Sequence, residues 1–227
     1  MPKTKAKTPA PVLDSVEWFH DVEQGSAEWH ALHIGVPTAS NFVSVLAAGE
    51  GKMRATYLRQ VAAEAITGER IETYKSADMM RGLAMEDEAR QYFMRSRFCK
   101  LERCGFVRRT VVTTLGTNFK VGCSPDSLID DNGVLEIKTM RPDLLIDVLE
   151  KGAAGFPTEH RAQCQGSLWV TGRNYVHLMI YYRGMPSADF VVPRDDEYIK
   201  HLSNEVERFS YDVRKLIERT IARGGDQ

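Results

Sequence analysis

A chain of 227 residues, 43% of them hydrophobic and 27% charged, is long enough to fill one core and too short for several. Its formal net charge of −1 excludes a protein that coats nucleic acid by bulk charge, though not one with a local basic track. No apolar run approaches the roughly 18 residues of a membrane span, and four cysteines (Cys99, Cys104, Cys123, Cys164) without CxxC spacing speak for reduced thiols rather than a zinc site or a disulfide framework.

Residues 1–11 carry Lys3, Lys5 and Lys7 among Thr, Ala and Pro and read as a disordered basic tail. They lack the apolar run of a signal peptide, so the expected location is the cytoplasm. No Pro/Gly linker follows, and residues 12–227 are read as a single domain. Helices are predicted over residues 26–34, stopped by Gly35, and from Thr38 as cap to a stop at Gly49, with Phe42, Val45 and Leu46 on one face. Two more follow over residues 54–67, stopped by Gly68, and from near Ser76 to Arg97, with Gly82 an awkward interior glycine. Strands are predicted over residues 106–114, 119–123, 127–129 and 134–138, the last two joined by an Asp131-Asn132-Gly133 turn. Then come a helix over 142–150, a Gly-rich loop over 152–155, a helix capped by Thr158, strands over 175–182 and 189–192, and a final amphipathic helix over 195–221. This order fits an α/β fold with a central mixed β-sheet flanked by helices. The seven basic residues between Arg90 and Arg109, set against the single acid Glu102, are an ordinary solvated face unless a polyanion is implicated.

The segment most suggestive of chemistry is Ser124-Pro125-Asp126 followed by Leu135-Glu136-Ile137-Lys138. Side chains alternate along a strand, so Val134, Glu136 and Lys138 share one face while Leu135 and Ile137 turn to the other. The turn folds this strand back and can bring Asp126 beside Glu136. Two adjacent carboxylates repel and call for a neutralising ion; magnesium takes such hard oxygen ligands. Lys138 beside them can hold or deprotonate an ion-bound water, which completes a set suited to phosphodiester hydrolysis. A Glu–Lys pair on an exposed strand face is the plain alternative. Glu86, in the long helix, is a third carboxylate able to complete the site. Gln163 and Gln165 lie two residues apart on a helix, so at most one can reach it. The helix start at Thr38 and Ser40 offers N–H donors and hydroxyls to an anion, or simply a cap. Met79 and Met80, ahead of Glu86, suit either a core or an apolar wedge between terminal bases.

Together, Val22-Glu23-Gln24-Gly25 with Trp29-His30, Gly35-Val36 with Thr38-Ala39-Ser40, Thr67-Gly68, Gly82…Glu86…Ala89-Arg90, Cys123-Ser124-Pro125-Asp126, Leu135-Glu136-Ile137-Lys138 and Ala162-Gln163-Cys164-Gln165 resemble, in order, the phage lambda-type exonuclease family of viral recombinase nucleases. The resemblance implies a restriction-endonuclease-like PD-(D/E)xK core and a magnesium-dependent exodeoxyribonuclease that digests one strand 5′ to 3′ from a double-stranded DNA end, leaving a 3′ tail for recombination by strand annealing. It implies two Mg2+ ions (Mn2+ being the alternative) on Asp126, Glu136, the Ile137 carbonyl and, for the second ion, Glu86. It further implies Lys138 as the residue activating water, Gln163 as an active-site glutamine and Ser40 as a ligand of the 5′-phosphate. His33 falls where close relatives carry an arginine for that phosphate, so another cation such as Arg54 is expected to help; Met79 and Arg141 complete the DNA-binding candidates. A ring-shaped homotrimer, a single-strand annealing protein as partner, no membrane association and action in the cytoplasm of a bacterial host are also implied. Two rivals stay open: a site- or structure-specific endonuclease using the same ion site, and an inactive DNA-binding module.

Overall fold

The computed structural model describes residues 14–47, 52–71, 77–113 and 117–224, with side chains from residue 80 in the third stretch. The predicted tail, the stop at Gly49 and the side chain of Met79 lie outside the described residues.

Strand β1 (Ser15–Phe19) is followed by α1 (Ala27–His33), whose cap is Ser26; its hydroxyl accepts from the Trp29 N–H at 3.1 Å. A 3-10 turn at Ala39–Asn41 leads into α2 (Phe42–Leu46), then α3 (Lys52–Thr67) and α4 (Ala77–Arg97). Thr38 stands at the head of that turn without a side-chain cap bond. Next come β2 (Leu101–Glu102), β3 (Phe106–Val112), β4 (Asn118–Cys123), β5 (Ser127–Ile129) and β6 (Gly133–Thr139). The chain closes with α5 (Pro142–Lys151), α6 (Arg161–Thr171), β7 (Tyr175–Tyr181), β8 (Ala188–Pro193) and α7 (Asp196–Gly224). The predicted helix cap at Thr158 is corrected: Thr158–His160 is a separate 3-10 turn, and α6 continues from it.

The strands form two sheets. One is three-stranded, β1-β3-β4, and antiparallel; the other is five-stranded, β2-β5-β6-β7-β8, with β6 and β7 parallel and the rest antiparallel. The mixed sheet flanked by helices is as predicted, but β3 and β4 belong to the smaller sheet. The chain changes sheets at Ser124-Pro125-Asp126, where Pro125 has no N–H to continue a ladder. Asp126 therefore emerges at the junction of the two sheets. Strands β1 and β2 escaped prediction: each is an edge strand, and β2 has two residues.

Alternation divides the larger sheet between two cores. Leu128, Val134, Val176, Leu178 and Ile180 face α5, α6 and α7; Ile129, Leu135, Ile137, Met179 and Tyr181 face Met85, Ala89 and Phe93 of α4. The turn between β5 and β6 also differs from its sequence signal. The left-handed residue is Asp130 (φ 44°), not Gly133. Gly133 is needed because a Cβ there would lie 2.4 Å from the Tyr175 ring of β7. Gly82 has a similar explanation: a Cβ would come within 2.7 Å of the Thr139 hydroxyl, so glycine lets α4 settle on the end of β6.

Candidate active site

Asp126 and Glu136 reach the same place from different sides of the β5–β6 hairpin. Asp126 Oδ2 accepts the main-chain N–H of Ile137 at 2.6 Å, which pins the carboxylate beside the strand one residue past Glu136. Glu136 is buried, on the α6 side of β6. Its Oε1 accepts from Lys138 Nζ at 2.8 Å and from Gln163 Nε2 at 2.5 Å. Asp126, Glu136, Lys138 and Gln163 thus converge as expected. An exposed strand face is excluded, because this face of β6 lies against α6. Gln165 turns away, donating to the Pro193 carbonyl at 2.8 Å.

The electrostatics of the group are unbalanced. Burial, reinforced by the Glu136 and Glu86 carboxylates, raises the Asp126 carboxyl well above its ordinary value against the pull of Lys138 and the Ile137 N–H. Burial alone would lower the Lys138 ammonium, but Glu136 and Asp126 outweigh it and hold its pKa above the usual lysine value. Lys138 is accordingly kept charged here, suited to holding water or phosphate rather than to taking a proton. Crowded carboxylates that resist joint ionisation, beside a main-chain carbonyl at Ile137, fit a hard divalent cation.

Glu86 lies near Asp126 but is engaged. Arg90, itself buried, donates to the carboxylates of Glu86 and Asp87, to the Asp126 carbonyl at 3.2 Å and to the Ser127 hydroxyl at 3.0 Å. Among the described residues, no three His, Cys, Asp or Glu side chains form a ready metal cluster. Arg90 holds the Oε1 oxygen of Glu86. The role of Arg90 was hidden inside the basic run, although its i,i+4 spacing from Glu86 was a signal for the pair. Much of that run is likewise paired, Arg103 with Asp87, Arg108 with Glu17 and Arg109 with Asp14, so it is no free basic track.

Two hollows flank the group. A groove of about 410 Å³ is lined by Gln24, Leu83, Glu86, Asp87, Arg90 and Asp126 among others. A second cavity, of about 100 Å³, is lined by Trp29, His33, Thr38, Ser40, Asn41, Arg70, Ser124 and Gln163 among others. Gln163 thus belongs both to this cavity and, through its amide, to Glu136. Ser124, two residues before Asp126, is held by the Trp29 indole N–H at 3.0 Å and lies 3.3 Å from His33 Nε2. The predicted neighbours Ser40 and His33 do meet here.

Arg54 does not. It pairs with Asp212 at 2.7 Å and lies over the Phe209 ring, joining the start of α3 to α7. Its guanidinium is turned to α7 and does not line the cavity, although Tyr57, three residues further on, accepts from the Thr38 N–H at 3.1 Å. The arginine that lines the cavity is Arg70, just past the end of α3, and sequence reasoning overlooked it. Arg141 is exposed and bonded to Asp143 at 2.7 and 3.1 Å; it lines a separate hollow with Arg81, Met85 and Tyr182. Met80 is 53% and Leu83 62% exposed, so this part of α4 is not core.

A mixed sheet presenting Asp126 and the Glu136-x-Lys138 pair at one end defines a restriction-endonuclease-like protein. The chain matches the model of the YqaJ-like viral recombinase domain over residues 28–174, and it belongs to that family. Among solved structures it is similar to an alkaline exonuclease, LHK-Exo, from Laribacter hongkongensis: 25% identity, TM-score 0.75, 88% of this chain and 99% of that one. The complex of LHK-Exo with dAMP matches at 24% identity and TM-score 0.76 over the same shares. A phage-related exonuclease from Haemophilus somnus 129PT shares the fold at 12% identity and TM-score 0.60, over 84% of this chain and 99% of that one. A comparison with curated protein sequences gives no match. Among the described residues no helix is long and apolar enough to cross a membrane.

Proposed function

We propose that the protein is a magnesium-dependent exodeoxyribonuclease that degrades one strand of duplex DNA from its 5′ end and leaves a 3′ tail for recombination by strand annealing. The observation that carries this reading is the placement of a phosphate-sized cavity one side chain, Gln163, away from the Asp126–Glu136 pair. A terminal phosphate seated in that cavity sets the first phosphodiester beside the carboxylates. The likeness to an alkaline exonuclease supports the same reading.

In this account Asp126, Glu136 and the Ile137 carbonyl hold Mg2+, with Glu86 serving a second ion. Bound there, the ions neutralise the carboxylates, polarise the scissile phosphate and acidify water. Lys138 orients the attacking water and compensates charge. Gln163 fixes the Glu136 carboxylate and closes the wall between cavity and cleavage site. Ser40, in the turn headed by Thr38, meets the terminal phosphate. A ring-shaped homotrimer and a single-strand annealing partner belong to the same proposal through the family, and a mass measurement in solution tests the former.

The test of the reading is substrate topology. With Mg2+, linear 5′-phosphorylated duplex should be digested and covalently closed circles spared, and chelation should stop digestion. Cleavage of the circles at the linear rate would replace this reading with an endonuclease using the same residues. Inertness on every substrate, despite DNA binding, would make the chain a binding module.

A further inference from the structure

A cavity that selects a terminal phosphate needs a cation, and His33 does not provide it. The ring is buried, packed 3.9 Å from Trp29 and 4.4 Å from Phe106 between centroids. Its Nδ1 meets the Trp29 carbonyl at 2.7 Å and its Nε2 faces the Ser124 hydroxyl. Burial lowers its pKa to about 4, so it is neutral at working pH.

Among the described residues Arg70 is the only lysine or arginine lining this cavity. It is anchored from behind: Nη1 donates to both oxygens of Glu64, at 2.8 and 2.6 Å. Glu64 is fully buried, and it also accepts from Gln60 at 3.1 Å and from the main-chain N–H groups of Ile71 at 3.3 Å and Gly35 at 3.4 Å. A buried carboxylate is tolerated only when so fully satisfied. Its five contacts tie the end of α3 to the bend after α1, and hence to the cavity wall. The guanidinium is fixed through one nitrogen, while Nε and Nη2 have no partner among the described residues. An arginine with one edge anchored and donors to spare is preorganised for phosphate oxygens.

We infer that Arg70, positioned by Glu64, is the residue that makes this cavity prefer a terminal 5′-phosphate, acting beside the Ser40 and Ser124 hydroxyls. The charge of the cavity is thus delivered from the segment just past the end of α3. The inference rests on the end-capture reading above and names the residue that sets its selectivity.

The experiment measures KM and kcat on linear duplexes bearing 5′-phosphate or 5′-hydroxyl ends, with thermal unfolding of each variant alongside. Wild type should show the lower KM for the phosphorylated end. Arg70→Gln should shrink the KM ratio by about tenfold or more, the usual scale for losing a charge-assisted contact. Because Arg70→Gln strands a buried carboxylate, Arg70→Gln/Glu64→Gln is included; it should lose the same ratio with stability nearer wild type. Arg70→Lys keeps the ion pair but lacks the guanidinium edge, and should lose the ratio in part. If the double variant keeps the full wild-type ratio, or Arg70→Gln lowers Tm alone, Arg70 is merely the counter-ion of Glu64 and the inference falls while end capture stands. If wild type itself shows equal KM values, end capture fails, and the inference with it.

Discussion

The carboxylate group and the neighbouring cavity handle buried charge in opposite ways. At Asp126 and Glu136 like charges are forced together, with Lys138 as a partial counterweight, and the Asp126 carboxyl resists ionisation. In the cavity every charge is already satisfied: Arg70 is paired with Glu64, and His33 is neutral. The first region is frustrated until a cation arrives, so it should respond strongly to ions and to substitution. The second is settled beforehand, so its contribution should appear as selectivity rather than as chemistry.

The largest effects should therefore come from the carboxylates. Asp126→Asn and Glu136→Gln should each lower kcat by about 10³-fold or more, the several kcal/mol that metal-assisted charge stabilisation supplies. The raised Asp126 pKa means that the folded state holds this proton more tightly than the unfolded chain does. Stability is then lost as pH rises from the unfolded value of 3.8 through the folded one. Without metal, Asp126→Asn should melt above wild type at pH 8, and the gap should close in acid. Added Mg2+ should raise the wild-type Tm and leave the variant unmoved. A variant with near-normal activity would show that the frustrated pair is not the ion site.

Lys138→Ala should cost about a hundredfold in turnover, the scale of one positioned proton-transfer or water-orienting group, while Mg2+ and DNA binding persist. A variant that loses DNA binding but keeps its single-turnover rate would recast Lys138 as a phosphate clamp.

His33 tests the settled region. Its folded pKa of about 4 lies below the ordinary 6.5, so the unfolded chain takes up the proton first and stability falls as pH drops from 6.5 towards 4. The full difference is worth about 3 kcal/mol. His33→Gln should flatten that acid limb, as read from Tm against pH, and the wild-type preference for 5′-phosphate should not strengthen between pH 8 and 6. A preference that grows as pH approaches 6.5 would mean that His33 is charged and binds the phosphate itself.

The smallest effect concerns the exposed Met80 on α4. Met80→Ala should slow digestion of duplex more than of single strands, by less than the about tenfold that 1.4 kcal/mol represents. Equal slowing on both substrates would remove the wedge role.

Legibility in the sequence followed the same divide. Asp126, Glu136 and Lys138 come from one hairpin, where alternation and a tight turn dictate who meets whom. Helical spacing said that only one of Gln163 and Gln165 could join them, and the resemblance picked Gln163. The cavity draws on α1, the turn at Ala39–Asn41, the segment after α3, the junction before β5, and α6, and no local rule joins these. Hence Arg54 was named and Arg70 was overlooked, since only packing shows which side chains reach the cavity. The buried Arg90 looked like a surface charge for the same reason. The two-sheet division was hidden because Pro125 interrupts what reads as a continuous run of strands.

The most direct test of end capture coupled to cleavage uses linear duplex carrying a radioactive 5′-phosphate. The account predicts that the label leaves as a mononucleotide in the first turnover, before the strand shortens measurably from its other end. Label that remains in long fragments while the duplex is cut, or that leaves last, would contradict it.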